Sequence, residues 1–159
     1  MDGFLALALD ALNYTSVLLL VSIGLVIVFG MMQVINLAHG EFFLVGAYAV
    51  LVLQGLGVPF WLTLPLAFVV GGLFGLICDA AILRFIYDRP TDTILATWGL
   101  SLAIRQAIVI VFGPNSQQVV APLTEPVNFL GISYSSYRLA IIAIAIAVAV
   151  VVFLILYRT

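Results

Sequence analysis

The sequence predicts an all-α integral membrane protein with about five transmembrane helices. Of its 159 residues 65% are hydrophobic and 8% charged, whereas soluble domains carry about a quarter charged residues. Mean hydropathy is +1.34. The apolar residues also fall in long runs, several of which reach the roughly 20 residues needed to cross a bilayer.

Charge and residue usage exclude several classes of function. Seven acids and five arginines give a net charge of −2, and lysine is absent. That is too little positive charge for a nucleic-acid footprint or a polybasic lipid-binding patch. Without lysine there is no Walker A sequence, so any ATP-driven step belongs to a partner. Cys78 is the only cysteine, which rules out an internal disulfide. His39 is the only histidine. One His and one Cys on separate helices supply neither a catalytic triad nor a metal-ligand set, so no catalytic residue, metal or cofactor is expected.

The elements follow in chain order. Residues 1–13 carry Asp2 and Asp10 where a secretory signal carries positive charge, so this stretch reads as a short interfacial helix that is not cleaved. Helix one is expected over 14–33, helix two over 41–55 and helix three over 59–87, with Pro59 suited to a first helical turn. Within helix three, Gly71, Gly75 and Asp79 recur every four residues and share one face, a pattern that allows close helix packing. Arg84, Asp88, Arg89, Pro90 and Asp92 form a charged loop before helix four at 93–112, whose Gly99, Ala103 and Ala107 make a small-residue stripe. Residues 113–137, with three prolines and several amides, read as the one substantial extramembrane loop, and helix five follows at 138–157.

The stretch around which the chain is organised is Gly24–Val50. It is apolar at both ends and polar in the middle, where Asn36, His39, Gly40 and Glu41 interrupt the hydrophobic run. One reading is a broken helix that holds these groups at membrane depth, with Gly40 and Gly46 allowing a break or tight packing and Asn36 serving freed backbone groups. The other is a cytoplasmic turn, with His39 and Glu41 solvated and Gly40 a cap. Ionisable groups at membrane depth are functional candidates by default. The candidates for a translocation pathway are therefore Asn36, His39, Gly40, Glu41, Gly46 and Tyr48, with Thr97, Trp98, Ser101 and Arg105 on helix four. Arg105 lies about 12 Å inside that helix, counted from Gly113 at 1.5 Å per residue. It either snorkels outward or pairs with Glu41 or Asp79.

Two segments carry a family resemblance. The run INLAHGEFFLVGAYAV, with the upstream spacing of Gly24, Leu25 and Gly30, resembles the signature of branched-chain amino-acid ABC transporter permeases of the LivH type. Ile94–Asn115 resembles the same family, and its ATWGLSL run is similar to the branch of urea or short-chain amide permeases. The resemblance implies a bacterial inner-membrane subunit that works with a second homologous permease, cytoplasmic ATPase subunits and a periplasmic substrate-binding protein. Members of that family continue past the point equivalent to Arg158 and Thr159, so these residues resemble an N-terminal half, either a fragment or a truncated gene product.

Orientation follows from the arginines, since short cytoplasmic loops are enriched in them. Arg84, Arg89 and Arg158 place the loop after helix three and the C-terminus in the cytoplasm, and residues 113–137 outside. Arg138 opposes this assignment. A passive channel for small neutral solutes and an assembly subunit stand as alternative functions, the first favoured by ATP-independent uptake and the second by a partner permease that needs this chain for stability.

Overall fold

The computed structural model describes residues 2–32, 35–86, 89–120, 122, 125–129 and 132–158. The expected ends of helix one at Gln33 and of helix three at Tyr87 lie outside these residues, as does Asp88. Five α-helices occur among the described residues: α1 (Asp2–Met32), α2 (His39–Gly55), α3 (Phe60–Ala81), α4 (Pro90–Phe112) and α5 (Ser136–Arg158). A short 3-10 turn at Leu83–Phe85 and two strands, β1 (Pro126–Phe129) and β2 (Ile132–Ser135), complete the order. Within α1, α3, α4 and α5 lie stretches long and apolar enough to cross a membrane, whereas α2 is shorter, at 17 residues. The protein is an all-α integral membrane protein.

The chain divides into two compact units, residues 1–27 with 121–159, and residues 28–120. In the first, α1 begins at Asp2, so the separate interfacial helix expected over 1–13 does not exist. No Gly or Pro lies between Phe4 and Ile23 to stop the helix, and the Thr15 hydroxyl donates back to the Ala11 carbonyl at 2.8 Å within it.

The expected loop at 113–137 contains an antiparallel hairpin, with Val127 opposite Tyr134 and Asn128 opposite Ser133. Ser136 opens α5 two residues earlier than expected, and its hydroxyl donates to the Glu125 carbonyl at the base of the hairpin. Tyr134 is buried, and its hydroxyl donates to Asp10 at 3.0 Å. Arg138 forms an ion pair with the same Asp10 oxygen, so the arginine that opposed the orientation carries its own counter-charge. Burial, and then the hydrogen bond to Asp10, raise the Tyr134 hydroxyl above its ordinary pKa.

In the second unit α2 packs against α3 and α4. Helix α2 ends in a Schellman motif: Val58 N–H donates to the Leu53 carbonyl at 3.0 Å and Gly57 N–H to that of Gln54 at 2.9 Å, with Gly57 at φ +81°. Pro59 sits one position before α3, where its carbonyl accepts from Leu62 and Thr63. Helix α3 stops at Ala81, short of the expected 87. Ile82 leaves helical geometry there, and the 3-10 turn redirects the chain. Pro90 occupies the first turn of α4. The Thr93 hydroxyl closes the connection by donating to the carbonyls of Ile86 at 2.7 Å and Arg89 at 3.0 Å. Gly113, at φ +83°, ends α4.

Candidate functional site

Helices α2 and α4 run parallel, in a register that can be read from five contacts. Leu37 N–H donates to the Thr97 hydroxyl at 3.2 Å. Ser101 Oγ and Arg105 Nε both donate to Glu41 Oε1, at 2.8 and 2.6 Å. The rings of Tyr48 and Phe112 lie 4.6 Å apart. Beyond the end of α4, the Gln54 amide donates to the Val120 carbonyl at 3.0 Å and accepts its N–H at 3.1 Å.

Thr97, Ser101 and Arg105 reach the seam together because residues four apart share a helix face. Side chains on a helix lean toward its N-terminus, which carries the long Arg105 side chain back over Ser101 to the carboxylate. Ser101 is the central residue of the 23 in α4, so the Glu41 carboxylate is level with the middle of a helix about 34 Å long. Glu41 is almost fully enclosed, with 5% of its side chain accessible, whereas the Arg105 side chain is 65% accessible. A buried carboxylate is costly unless paired and hydrogen-bonded. Here an arginine and a hydroxyl meet both conditions.

Below this cluster the chain between α1 and α2 is non-helical at Ile35–Ala38. The Asn36 side chain accepts from Ala38 N–H at 2.9 Å, and its carbonyl accepts from His39 N–H at 3.2 Å. Asn36 therefore binds the backbone at the start of α2, the role its donor and acceptor set suggested.

His39 faces away from Glu41, because two residues along a helix turn it through roughly 200°. Its ring meets Phe43 edge-on at 5.4 Å. Its Nε2 is buried without a hydrogen-bond partner among the described residues. Together with Phe42, Gly46, Ala67 and Gly71 it lines an open apolar groove of about 500 Å³ between α2 and α3.

Other candidates separate from the cluster. Gly40 and Gly46 lie within α2 at ordinary helical φ, and a Cβ at either position meets nothing within 4 Å. Neither glycine is therefore required by close approach or by a left-handed backbone within this chain, which corrects the expectation for that pair. Gly71 likewise faces open space, whereas a Cβ on Gly75 lies 3.5 Å from the Phe42 ring. Asp79 sits in the last turn of α3, and it is Glu41 that pairs with Arg105. Trp98 is exposed, on a different face from its buried neighbour Thr97. Two apolar clefts adjoin the seam. One, of about 350 Å³, is lined by Val45, Tyr48, Ile108 and Phe112 among others. The other, of about 360 Å³, takes Ala103 and Ala107 of the small-residue stripe, with Phe74 of α3.

Sequence reasoning missed two features. Gln54 was one amide in an apolar run, a signal that was available but had no visible partner. Asp10 is more than 120 residues of chain from both Tyr134 and Arg138, and no spacing rule connects it to them.

Comparison with known proteins gives the family. Residues 7–159 match the family described as branched-chain amino acid transport system / permease component. A protein of Methanocaldococcus jannaschii named probable branched-chain amino acid transport permease protein LivH is 31% identical over 131 residues, covering 80% of this chain and 41% of that protein. The high-affinity branched-chain amino acid transport system permease protein LivM of Salmonella typhimurium is 27% identical over 133 residues, covering 80% of this chain and 30% of its own length. No solved structure matches the chain. The chain thus spans less than half the length of the curated relatives it matches. With its apolar helices and a family match along almost its whole length, the chain is a multi-pass membrane protein that belongs to the branched-chain amino acid transport permease family.

Proposed function

We propose that this chain is a transmembrane permease subunit of an ATP-binding cassette importer for branched-chain or other neutral amino acids, and that it forms part of the substrate path through a bacterial inner membrane. The observation that carries the reading is the enclosed Glu41 carboxylate, level with the central residue of α4 and held by Ser101 and Arg105. Charged groups at such depth are costly and tend to face a bundle interior or a water-filled path. The names of both relatives favour branched-chain amino acids over the urea and amide reading.

The proposed assembly has a second homologous permease, cytoplasmic ATPase subunits and a periplasmic substrate-binding protein. ATP hydrolysis falls to the ATPase subunits, since the chain lacks the lysine of a Walker A motif. In this reading the pathway runs along the α2–α4 seam past Asn36, Glu41, Tyr48, Thr97, Ser101 and Arg105. His39, Gly46 and Gly71 face the separate groove toward α3, and Gly40 and Trp98 lie outside both. The parallel seam carries α2 from the level of Ser101 to beyond the end of α4, where Gln54 meets Val120, which supports a chain that completes its crossing on that side.

Uptake in vesicles tests the reading. The complete system should accumulate labelled leucine only with hydrolysable ATP inside, and vesicles holding this chain alone should accumulate none. ATP-independent flux through the purified chain overturns the reading in favour of a channel.

A further inference from the structure

We propose that the two terminal nitrogens of Arg105 form a carboxylate site, which receives the α-carboxylate of an aliphatic amino acid while its side chain points toward the apolar cleft further along the α2–α4 seam. The proposal rests on the importer reading above and names the part of the substrate that this polar centre selects.

The geometry leaves that end of the guanidinium unused. Glu41 takes the Nε position, and among the described residues neither terminal nitrogen of Arg105 makes a hydrogen bond. These nitrogens present a planar, two-pronged donor edge that matches a carboxylate. The side chain is 65% accessible even though it lies just past the middle of a membrane-spanning helix, where an uncovered cation is strongly disfavoured. Glu41, by contrast, is enclosed and anchored by Ser101. The carboxylate therefore holds the arginine at Nε and leaves its outer edge accessible.

Charge and shape restrict what can bind. The Glu41–Arg105 pair is neutral overall, so a zwitterion adds no net charge to the centre, whereas a simple anion adds one. Val45 lies one turn beyond Glu41 on α2, and Ile108 and Phe112 lie about one and two turns beyond Arg105 on α4. These residues line the cleft of about 350 Å³. A charged head followed along the seam by an apolar chamber fits a branched aliphatic amino acid, with its carboxylate on Arg105 and its side chain on the aliphatic and aromatic wall.

The test uses the intact transport system in vesicles, with Cys78→Ala as background and Arg105→Cys introduced into it. Leucine uptake should fall by about tenfold or more, the scale of one lost charge-assisted contact. Aminoethyl methanethiosulfonate, which restores a cation, should recover most of the uptake, and the uncharged methyl reagent should not. Leucine should slow the modification, whereas leucinamide, which lacks the carboxylate, should not. Arg105→Lys should retain more uptake than Arg105→Cys. The proposal is overturned by undiminished uptake in Arg105→Cys, by failure of both the restored cation and Arg105→Lys to support uptake in a correctly inserted chain, or by equal protection from leucine and leucinamide. A thiol that reacts in the isolated chain but not in the assembled system also overturns it, because a group of another polypeptide then covers Arg105. If the unsubstituted system takes up no leucine, it is the importer reading that fails.

Discussion

Arg105 Nε lies 2.6 Å from Glu41 Oε1, and the two residues are 64 positions apart in the chain. This contact joins the first turn of α2 to the second half of α4, and Ser101 shares the same acceptor oxygen at 2.8 Å. A carboxylate with two donors on one oxygen ties the helices at a fixed register. The contacts of Leu37 with Thr97 and of Tyr48 with Phe112 extend that register in both directions.

Ser101→Ala should weaken this tie without abolishing it, because Arg105 still neutralises Glu41. Loss of a buried hydrogen bond to a charged group costs about 1.5–3 kcal/mol. The expected result is a lower midpoint of thermal unfolding in detergent for Ser101→Ala, with helix content unchanged before the transition. An unchanged midpoint means that the hydroxyl contributes nothing to the pair.

Glycines in α2 and in the turns should respond in opposite ways. Gly40→Ala enters open space inside a helix and should be neutral or stabilise by up to about 1 kcal/mol. Gly57→Ala and Gly113→Ala place a Cβ at φ +81° and +83° and should each destabilise, by roughly 1 kcal/mol or more. Equal behaviour of the three variants in thermal unfolding contradicts the backbone assignment.

The contacts at the hairpin predict a dependence on pH. The folded state raises the Tyr134 pKa above its value in the unfolded chain, chiefly by burial and then through Asp10. The neutral phenol is therefore the stabilising form. Its contribution is complete below the ordinary tyrosine value of about 10 and is lost as pH rises through the raised folded value. Tyr134→Phe should remove this alkaline loss of stability, measured as the unfolding midpoint across the alkaline range beside a phenolate absorbance titration. An alkaline loss of the same size in Tyr134→Phe assigns the dependence to another group.

Much of the fold was legible in the sequence because bilayer length and hydropathy act locally. The apolar runs at Phe60–Ala81, Pro90–Phe112 and Ser136–Arg158 declare themselves within one segment. The ends were less legible. Asn13 has no helix-breaking effect unless it caps, so α1 passed through it, and strands of four residues are too short for their alternation to stand out. Within the site, the polar interruption was visible as a composition change, and Arg105 was marked by its depth in helix four. What the sequence did not resolve is which face each residue takes across helices. Glu41 and His39 are two positions apart yet serve different surfaces, and Glu41 instead of Asp79 meets Arg105 only because α2 and α4 run parallel at that register.

Sidedness provides a further prediction. Single cysteines introduced at Arg89 and at Asn115, in the Cys78→Ala background, should differ in intact cells. The site at Asn115 should react with an impermeant thiol reagent, and the site at Arg89 should react only after the membrane is permeabilised. The reverse pattern inverts the orientation, and with it the side on which the hairpin lies.

Uptake by Glu41 variants tests the central claim most directly, that the Glu41 centre lies on the substrate path within the membrane. With insertion and assembly verified, Glu41→Ala in the complete system should reduce leucine uptake by about tenfold or more, because Arg105 loses its counter-charge and Ser101 its acceptor. Glu41→Gln keeps an acceptor for Ser101 and should reduce uptake less. Wild-type uptake by both variants contradicts the account and makes the segment from Asn36 to Glu41 an ordinary turn.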